Sequence, residues 1–294
     1  MAAYAVSGQH RERSRNPFNG NTQASPPHQK YPPFMVLMAY PVFTFDGSLM
    51  TVHNLTAPVI SPPAADASPP TRHKRGIAST SKLWPQHSAL KISLLNMTEE
   101  QKNLVKTNIK KWIPHTNLYL KFVETSNGDI RISANNTTSS GWSRVGTDAK
   151  NAPPYEPTMS IGFKNTPERI EAQVLHEFGH ALGLRHEHQH PDRTLQIDDE
   201  GVYKEFESRS KTRAEAYNDI LKKFYRSTVT TSPYDEHSIM HYSFPASRLI
   251  ESNEIPKPLQ LSAGDKNFIK SLYPEDSSPY GKLLNTLIRV LIKS

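Results

Sequence analysis

A group of residues in the second half of the chain has the types and spacing of a metal-dependent hydrolytic site. His176 and His180 are four residues apart, so on a helix both imidazoles lie on one face. Gly183 tolerates the left-handed backbone conformation that ends a helix, and His186 can then return toward the first two histidines. Three neutral imidazoles leave one coordination position open, which is typical of a catalytic zinc site. The spacing therefore predicts one catalytic Zn²⁺ held by these three histidines.

Glu177 directly follows the first histidine. On a helix its carboxylate can project toward the open position without binding the ion. Zinc lowers the pKa of a bound water from 15.7 toward about 7, so a nearby carboxylate can accept a proton as the water attacks a carbonyl. The same carboxyl can then pass the proton to the leaving amine. Glu177 is therefore the predicted catalytic general base.

The whole pattern His-Glu-x-x-His-x-x-Gly-x-x-His, which begins at His176, resembles that of the metzincin zinc peptidases. Two further features are similar to the astacin family within that clan. Glu187 follows the third histidine, and residues 238–242 (Ser-Ile-Met-His-Tyr) resemble the Met-turn of that family. The resemblance runs loosely from Leu83 to Tyr273 and is tight only over residues 174–193 and 232–242.

The resemblance implies roles for two residues of the Met-turn. Met240 would lie beneath the metal. Tyr242 would be a metal ligand when substrate is absent, and would then swing to stabilise the oxyanion as a catalytic residue. A phenol suits both states, because it can coordinate as a phenolate or donate a hydrogen bond to developing negative charge.

The resemblance also implies the fold class and the activity. The fold would be the α+β metzincin zinc-peptidase fold, in which a twisted mixed sheet has a backing helix and an active-site helix. An irregular C-terminal subdomain would hold the Met-turn, with the substrate cleft between the two parts. The activity would be that of a zinc-dependent metalloendopeptidase that hydrolyses internal bonds of a protein or peptide substrate.

Local sequence patterns predict the elements that must position these residues. An amphipathic helix over residues 166–182, with Pro167 in its first turn, carries the first two histidines. A capping box at residues 98–101 opens a helix that reaches Trp112. Ser262 and Asp265 cap a helix over residues 262–273. Residues 198–226 are helix-prone and charged.

Short runs of alternating or β-branched residues predict the strands. They lie at residues 90–95, 118–123, 129–133 and 158–161. The last of these is the predicted edge strand, along which an extended peptide substrate would pair by β-augmentation.

Composition divides the chain into three parts. Residues 1–75 hold 11 of the 24 prolines, which predicts a largely disordered or propeptide-like segment. This segment ends in the basic cluster 72–75, which is typical of a processing site or of a charged linker. Residues 76–276 are the predicted catalytic domain, and residues 277–294 are a basic amphipathic tail that docks or packs as a helix.

The net charge of +7 comes from the two ends of the chain. Residues 1–75 contain seven basic and three acidic residues, and residues 277–294 contain three basic and no acidic residues. When these are removed from the totals of 35 and 28, 25 of each sign remain. A domain without net charge gives no support to a nucleic-acid partner.

No run of the sequence reaches the roughly 18 apolar residues that a membrane span requires. The protein is predicted to be a monomer.

The chain contains no cysteine, which excludes disulfides, thiolate ligands and a cysteine nucleophile. Astacins normally carry two disulfides, so the chain departs from the family in this respect. The resemblance implies an extracellular location, but the N-terminal residues lack the apolar core of a secretory signal.

The resemblance has two implications for processing. In astacins, removal of the propeptide creates a new N-terminus, and the glutamate that corresponds to Glu187 helps to bury it. Cleavage near Arg75 would make Gly76, or a residue shortly after it, the new N-terminus of this chain. Astacin propeptides block the zinc through the aspartate of a Phe-x-Gly-Asp segment. Residues 45–48 have Ser48 at that position, so latency by that route is not expected.

Two alternatives stay open. Serralysin-like and matrixin-like peptidases share the zinc motif, although the Met-turn tyrosine argues against matrixins, and Glu187 with the lack of Gly/Asp-rich calcium repeats argues against serralysins. The other alternative is a catalytically silent zinc-containing module that binds proteins.

Overall fold

The computed structural model describes residues 76–250 and 253–293. The predictions for residues 1–75, including residues 45–48, lie outside this part of the chain. Its strands are β1 (Ile77–Ser79), β2 (Ala89–Leu95), β3 (Tyr119–Val123), β4 (Ile130–Asn135), β5 (Trp142–Ser143), β6 (Met159–Gly162) and β7 (Val229–Thr231). Its α-helices are α1 (Glu99–Lys110), α2 (Pro167–Ala181), α3 (Asp199–Ser208), α4 (Arg213–Ala216), α5 (Ala263–Leu272) and α6 (Pro279–Lys293).

Five of these strands form a mixed sheet in the order β3-β2-β4-β6-β5. Four strands run parallel, and β5 is antiparallel to β6. Ile92, Ile132 and Ile161 are fully buried, as expected of parallel strands that are covered by helices. The four predicted strands are therefore present, within one or two residues of their predicted bounds. β1 and β7 form a separate antiparallel pair.

The prediction that residues 158–161 form the edge strand is wrong. β6 lies between β4 and β5, so both of its edges are occupied. The edge on this side of the sheet is β5, a strand of two residues that contains the half-exposed Trp142, and the opposite edge is β3. A strand this short has no alternating pattern to detect, which is why the sequence did not reveal it.

Helix α1 covers the sheet and packs against α2. The predicted capping box is confirmed: the Thr98 hydroxyl accepts from the Gln101 N–H, and the Gln101 side chain accepts from the Thr98 N–H. The helix ends at Lys110 rather than Trp112, because the N–H groups of Lys111 and Trp112 bond to carbonyls only three residues back, the tighter pattern that often closes a helix. Trp112 is nevertheless fully buried, together with Val105 and Ile109.

The part of the chain after α2 is less regular and has its own apolar cluster, which includes Val202, Phe206 and Phe244. The stretch predicted to be helix-prone contains α3, α4 and a π-helical turn, Tyr217–Leu221. Helix α5 begins with the predicted capping box between Ser262 and Asp265.

Helix α6 contacts the outer strand β3, where the Tyr119 hydroxyl donates to the side chain of Asn285. Leu283 and Leu287 lie on an exposed side of this helix. Within the described part of the chain, we find no helix with the length and apolar character that crossing a membrane requires.

Candidate functional site

The end of helix α2 brings the third histidine back to the first two. Gly183 has a φ of 100°, the left-handed conformation that glycine adopts without a Cβ penalty. The Leu184 N–H donates to the Gly179 carbonyl and the Gly183 N–H donates to the His180 carbonyl, which is a Schellman motif. The chain therefore reverses direction directly after helix α2, and His186 comes to lie beside the last turn of that helix.

The ring nitrogens of the three histidines converge. One nitrogen from each of His176, His180 and His186 can be chosen so that all three lie within 4.8 Å of one another. The Nε2 atoms of His180 and His186 are 3.0 Å apart. The structure thus brings together the three histidines among the four predicted metal ligands.

Backbone carbonyls determine which nitrogen carries the proton in two of the rings. His176 Nδ1 is 2.7 Å from the Ile239 carbonyl, and His180 Nδ1 is 2.9 Å from the Leu184 carbonyl. A carbonyl can only accept, so each Nδ1 carries a hydrogen and each Nε2 presents a lone pair. Metal-binding histidines typically have this arrangement. The donor set therefore fits a zinc ion.

Burial keeps the imidazoles neutral. It lowers the pKa of His176 to about 4 and that of His180 to about 3, and it holds the pKa of His186 well below its usual value. A neutral imidazole has a free lone pair, and a protonated one does not. The three rings are thus prepared to bind a cation near neutral pH.

Glu177 lies on α2 between the two helical histidines and is only 7% exposed. Burial raises the pKa of its carboxyl to about 8, and the charge of Lys257 acts in the opposite direction. A Cβ at Gly141 would lie 3.0 Å from the Glu177 Cγ, so the segment before β5 passes directly beside this side chain. A carboxyl with such a pKa is suited to exchange protons near neutral pH.

The Met-turn passes under helix α2. A Cβ at Gly179 would lie 2.4 Å from the Met240 sulfur, so the glycine makes room for the methionine beneath the last turn of the helix. The turn is held by Asp265, which accepts from the Ser238 hydroxyl at 2.6 Å and from the Ile239 N–H at 2.8 Å. Burial raises the pKa of the Asp265 carboxyl to about 6.

Tyr242 completes the group. Its ring centroid lies 4.3 Å from that of His186 and 6.3 Å from that of His176. Burial raises the pKa of its phenol to about 12, so the hydroxyl of the metal-free protein is a hydrogen-bond donor near neutral pH.

These residues line a cleft of about 800 Å³. Its lining includes Trp142 from the edge strand β5, together with Tyr242 and Lys257. The outer edge of β5 has no partner among the described strands. An extended peptide can pair with such an edge through its backbone.

The sequence did not reveal two features of the site. Asp265 was predicted only as a helix cap, whereas the same carboxylate also holds the Met-turn. His188 and His241 are both buried, although their spacing assigns neither of them a role. The partners of Asp265 and His188 lie far away in the chain, which local spacing does not show.

Comparison with known families gives one match that covers most of the described chain. Residues 76–260 match the family model of Astacin, which describes a family of peptidases. Two curated relatives from Caenorhabditis elegans are each 34% identical over part of the chain. Zinc metalloproteinase nas-39 matches over 113 residues, 34% of this chain, and zinc metalloproteinase nas-5 over 112 residues, 37% of this chain. The matches span only 11% and 27% of those two proteins.

Comparison with solved structures gives the same type of fold. A structure of myroilysin is 30% identical with a TM-score of 0.64, and the match covers 68% of this chain and all of that one. A crystal structure of myroilysin, also 30% identical, gives a TM-score of 0.51 and covers 66% and 87% of the two chains.

The Asp265 carboxylate is predicted to contribute both to the stability of the fold and to the affinity for zinc. Asp265→Ala leaves buried donors of Ser238 and Ile239 without an acceptor, so we expect a loss of about 2–4 kcal/mol in the free energy of unfolding. Zinc affinity should fall about 10–100-fold, because His176 is held by the carbonyl of the same turn. Urea unfolding of the metal-free protein and a competitive zinc titration measure the two effects.

Asp276→Ala is the matched control, since this aspartate accepts a backbone N–H from Ser278 at the surface. It should change stability by less than about 0.5 kcal/mol. Zinc affinity at the wild-type level in Asp265→Ala would show that the carboxylate does not position the site.

Burial of Glu177 is predicted to destabilise the metal-free protein at high pH. Its pKa is about 8 when folded, against 4.5 as the reference value for the unfolded chain. The folded state therefore binds the proton more tightly, and stability is lost as pH rises through 8. Glu177→Gln removes this cost, so the variant should become more stable than wild type as pH rises above 4.5. The gain should be on the order of 2–4 kcal/mol at pH 9.

Denaturant unfolding of both metal-free proteins between about pH 4 and pH 9 tests this prediction. Glu171→Gln, on the solvent-facing side of the same helix, is the control and should follow wild type at every pH. A stability difference that does not depend on pH would contradict the assigned cause.

Proposed function

The chain belongs to the astacin family of zinc peptidases, and from this premise we propose that it is a zinc-dependent endopeptidase that cleaves internal bonds of proteins or peptides. Family membership agrees with the metzincin zinc-peptidase fold predicted from the sequence. The observation that carries the proposal is the convergence of three neutral imidazoles beside a buried carboxyl in an open cleft. Because the curated matches span only part of longer proteins, the activity is assigned on this geometry.

Zinc is the cofactor of the family, and His176, His180 and His186 would hold it. When bound, the ion supplies a Lewis acid that polarises the substrate carbonyl and makes water a stronger acid. Glu177 would accept the proton of the attacking water and later give it to the leaving amine. Its position between two ligands on one helix favours both transfers.

Tyr242 would act on the substrate carbonyl. Its phenol is protonated near neutral pH and its ring lies beside His186. In the substrate-free state the phenol would be a further ligand of the metal. With substrate present, the hydroxyl would donate a hydrogen bond to the negative charge that develops on the carbonyl oxygen.

Cleavage of an unstructured protein by the zinc-loaded chain tests the proposal. We expect activity that is lost with a chelator and restored by zinc. Glu177→Ala should lower kcat at least about 100-fold while the protein still binds one zinc ion, because general acid–base catalysis contributes about 10²–10⁴-fold. Glu171→Ala, on the solvent-facing side of the same helix, is the control and should retain wild-type activity.

Unchanged activity in Glu177→Ala would overturn the role of this carboxyl. Zinc-loaded wild-type protein that cleaves no member of a broad substrate panel would instead favour the alternative, a zinc-containing module that binds proteins without cleaving them.

We further propose that residues 1–75 are a propeptide-like segment, removed from an exported enzyme whose catalytic domain spans 76–276. Cleavage near Arg75 would leave an ammonium group at Gly76, which is buried. Glu187 is fully buried, and its Oε2 has no hydrogen-bond partner among the described residues. A new ammonium group could pair with this oxygen. Terminal sequencing of protein from its native source should yield Gly76 or a close successor, and an intact residue 1 would refute the processing step.

A further inference from the structure

The segment after the third histidine makes a set of contacts that the catalytic proposal does not use. Three of its side chains donate to backbone carbonyls of the π-helical turn Tyr217–Leu221. Gln189 donates to the Asn218 carbonyl at 2.8 Å, and His188 donates through Nε2 to the Asp219 carbonyl at 2.9 Å. Arg193 reaches the Ile220 carbonyl at 3.3 Å. The carbonyls of this turn are therefore bound by side chains from one short segment.

Of these three side chains, only that of His188 stacks on a ring that lines the catalytic cleft. Its imidazole stacks on the ring of Tyr242, with centroids 4.2 Å apart and planes 26° from parallel. His186 lies 4.3 Å and 54° from the same phenol ring, and the His186 and His188 rings also stack on each other with centroids 5.4 Å apart. The Tyr242 ring is thus in contact with two imidazoles that are separated by one residue in the chain.

The orientation of His188 is itself determined by its surroundings. The ring is completely buried, its edge packs on Phe244 with centroids 5.7 Å apart, and Nε2 is bound to the Asp219 carbonyl. Its Nδ1 has no hydrogen-bond partner among the described residues. A buried acceptor without a partner, such as this Nδ1, costs about 1–3 kcal/mol, and an apolar side chain of the same size would avoid that cost. An aliphatic side chain, however, has no flat face of fixed orientation on which a phenol ring can stack.

We propose that His188 is a positioning residue for Tyr242: its buried imidazole, oriented by the Asp219 carbonyl, stacks on the phenol ring and holds it beside His186. This inference rests on the proposed role of Tyr242 in the reaction. The π-helical turn supplies the carbonyl that orients His188. π-helical turns are frequent at functional sites.

A double-mutant cycle on the zinc-loaded full chain tests whether His188 acts through the tyrosine. His188→Ala should lower kcat about 10-fold with little change in KM, the size of effect seen when groups that orient a site are removed. In a Tyr242→Phe background the same change should have no further effect on kcat. A residue that only stabilises the fold would lower kcat by the same factor in both backgrounds, and this result would overturn the proposal.

Three further variants separate the parts of the contact. His188→Phe keeps a flat ring and should retain most of the activity. His188→Asn keeps a donor without a ring and should behave as His188→Ala does. Gln189→Ala removes a hydrogen bond to the same turn without touching Tyr242, and it should leave kcat unchanged. Wild-type kcat in His188→Asn, or loss of activity in Gln189→Ala equal to that in His188→Ala, would overturn the proposal.

A measurement on the metal-free protein provides a readout that does not depend on activity. In protein labelled with 3-fluorotyrosine, the ¹⁹F signal of residue 242 is assigned by its loss in Tyr242→Phe. A phenol ring that packs against the His188 and His186 imidazoles should flip slowly and give two lines, and His188→Ala should merge them. Identical spectra would overturn the proposal. If Tyr242→Phe retains full activity, the catalytic role of the tyrosine fails, and the spectra alone decide whether His188 positions it.

Discussion

The lone pairs of three largely buried imidazoles must point toward one another for this site to exist, and backbone carbonyls behind two of the rings impose that orientation. One carbonyl belongs to Leu184, in the reversal after the active-site helix, and the other to Ile239, in the Met-turn. The two carbonyls come from segments that lie far apart in the chain. The metal centre therefore depends on the packing of the sheet-and-helix part against the irregular part, and not on the helix alone.

Asp265 makes several of the contacts that hold the Met-turn in place. Its carboxylate accepts the Ser262 N–H at the start of α5 and also the Ile239 N–H in the Met-turn. Helix capping and site geometry are thus served by one group. The Glu187 N–H donates to the Met240 carbonyl, which connects the end of the histidine motif to the same turn. A small displacement of α5 would be transmitted to the carbonyl that orients His176.

The site is assembled from ionisable groups whose charged forms are made unfavourable by burial. Desolvation raises the pKa values of Glu177 and Asp265 and lowers those of the histidines. Proteins tolerate such costs at functional sites when the rest of the fold supplies stability. Here the sheet and its two covering helices supply it, with a continuous cluster of fully buried apolar side chains such as Ile92, Ile109 and Val174.

The sequence by itself determined the features that depend on a few neighbouring residues. The spacing of His176 and His180, the reversal at Gly183, the helices α1, α2 and α5 with their capping or start signals, and the four longer strands of the sheet were all predictable. Each of these depends on side-chain periodicity or on a cap within one element. The family resemblance followed from the same motif, because its residues lie close together in the chain.

Only the tertiary structure decided which groups from different elements meet. The edge of the sheet that lines the cleft is the two-residue strand β5, which is too short to have a pattern. His188 meets the carbonyl of Asp219, and Asp265 meets the Met-turn, across 31 and 26 residues of sequence. These partners are backbone groups, which every residue type possesses, so residue identity contains no signal for them. Their selection depends on how the helices and turns pack, and that is a property of the whole fold.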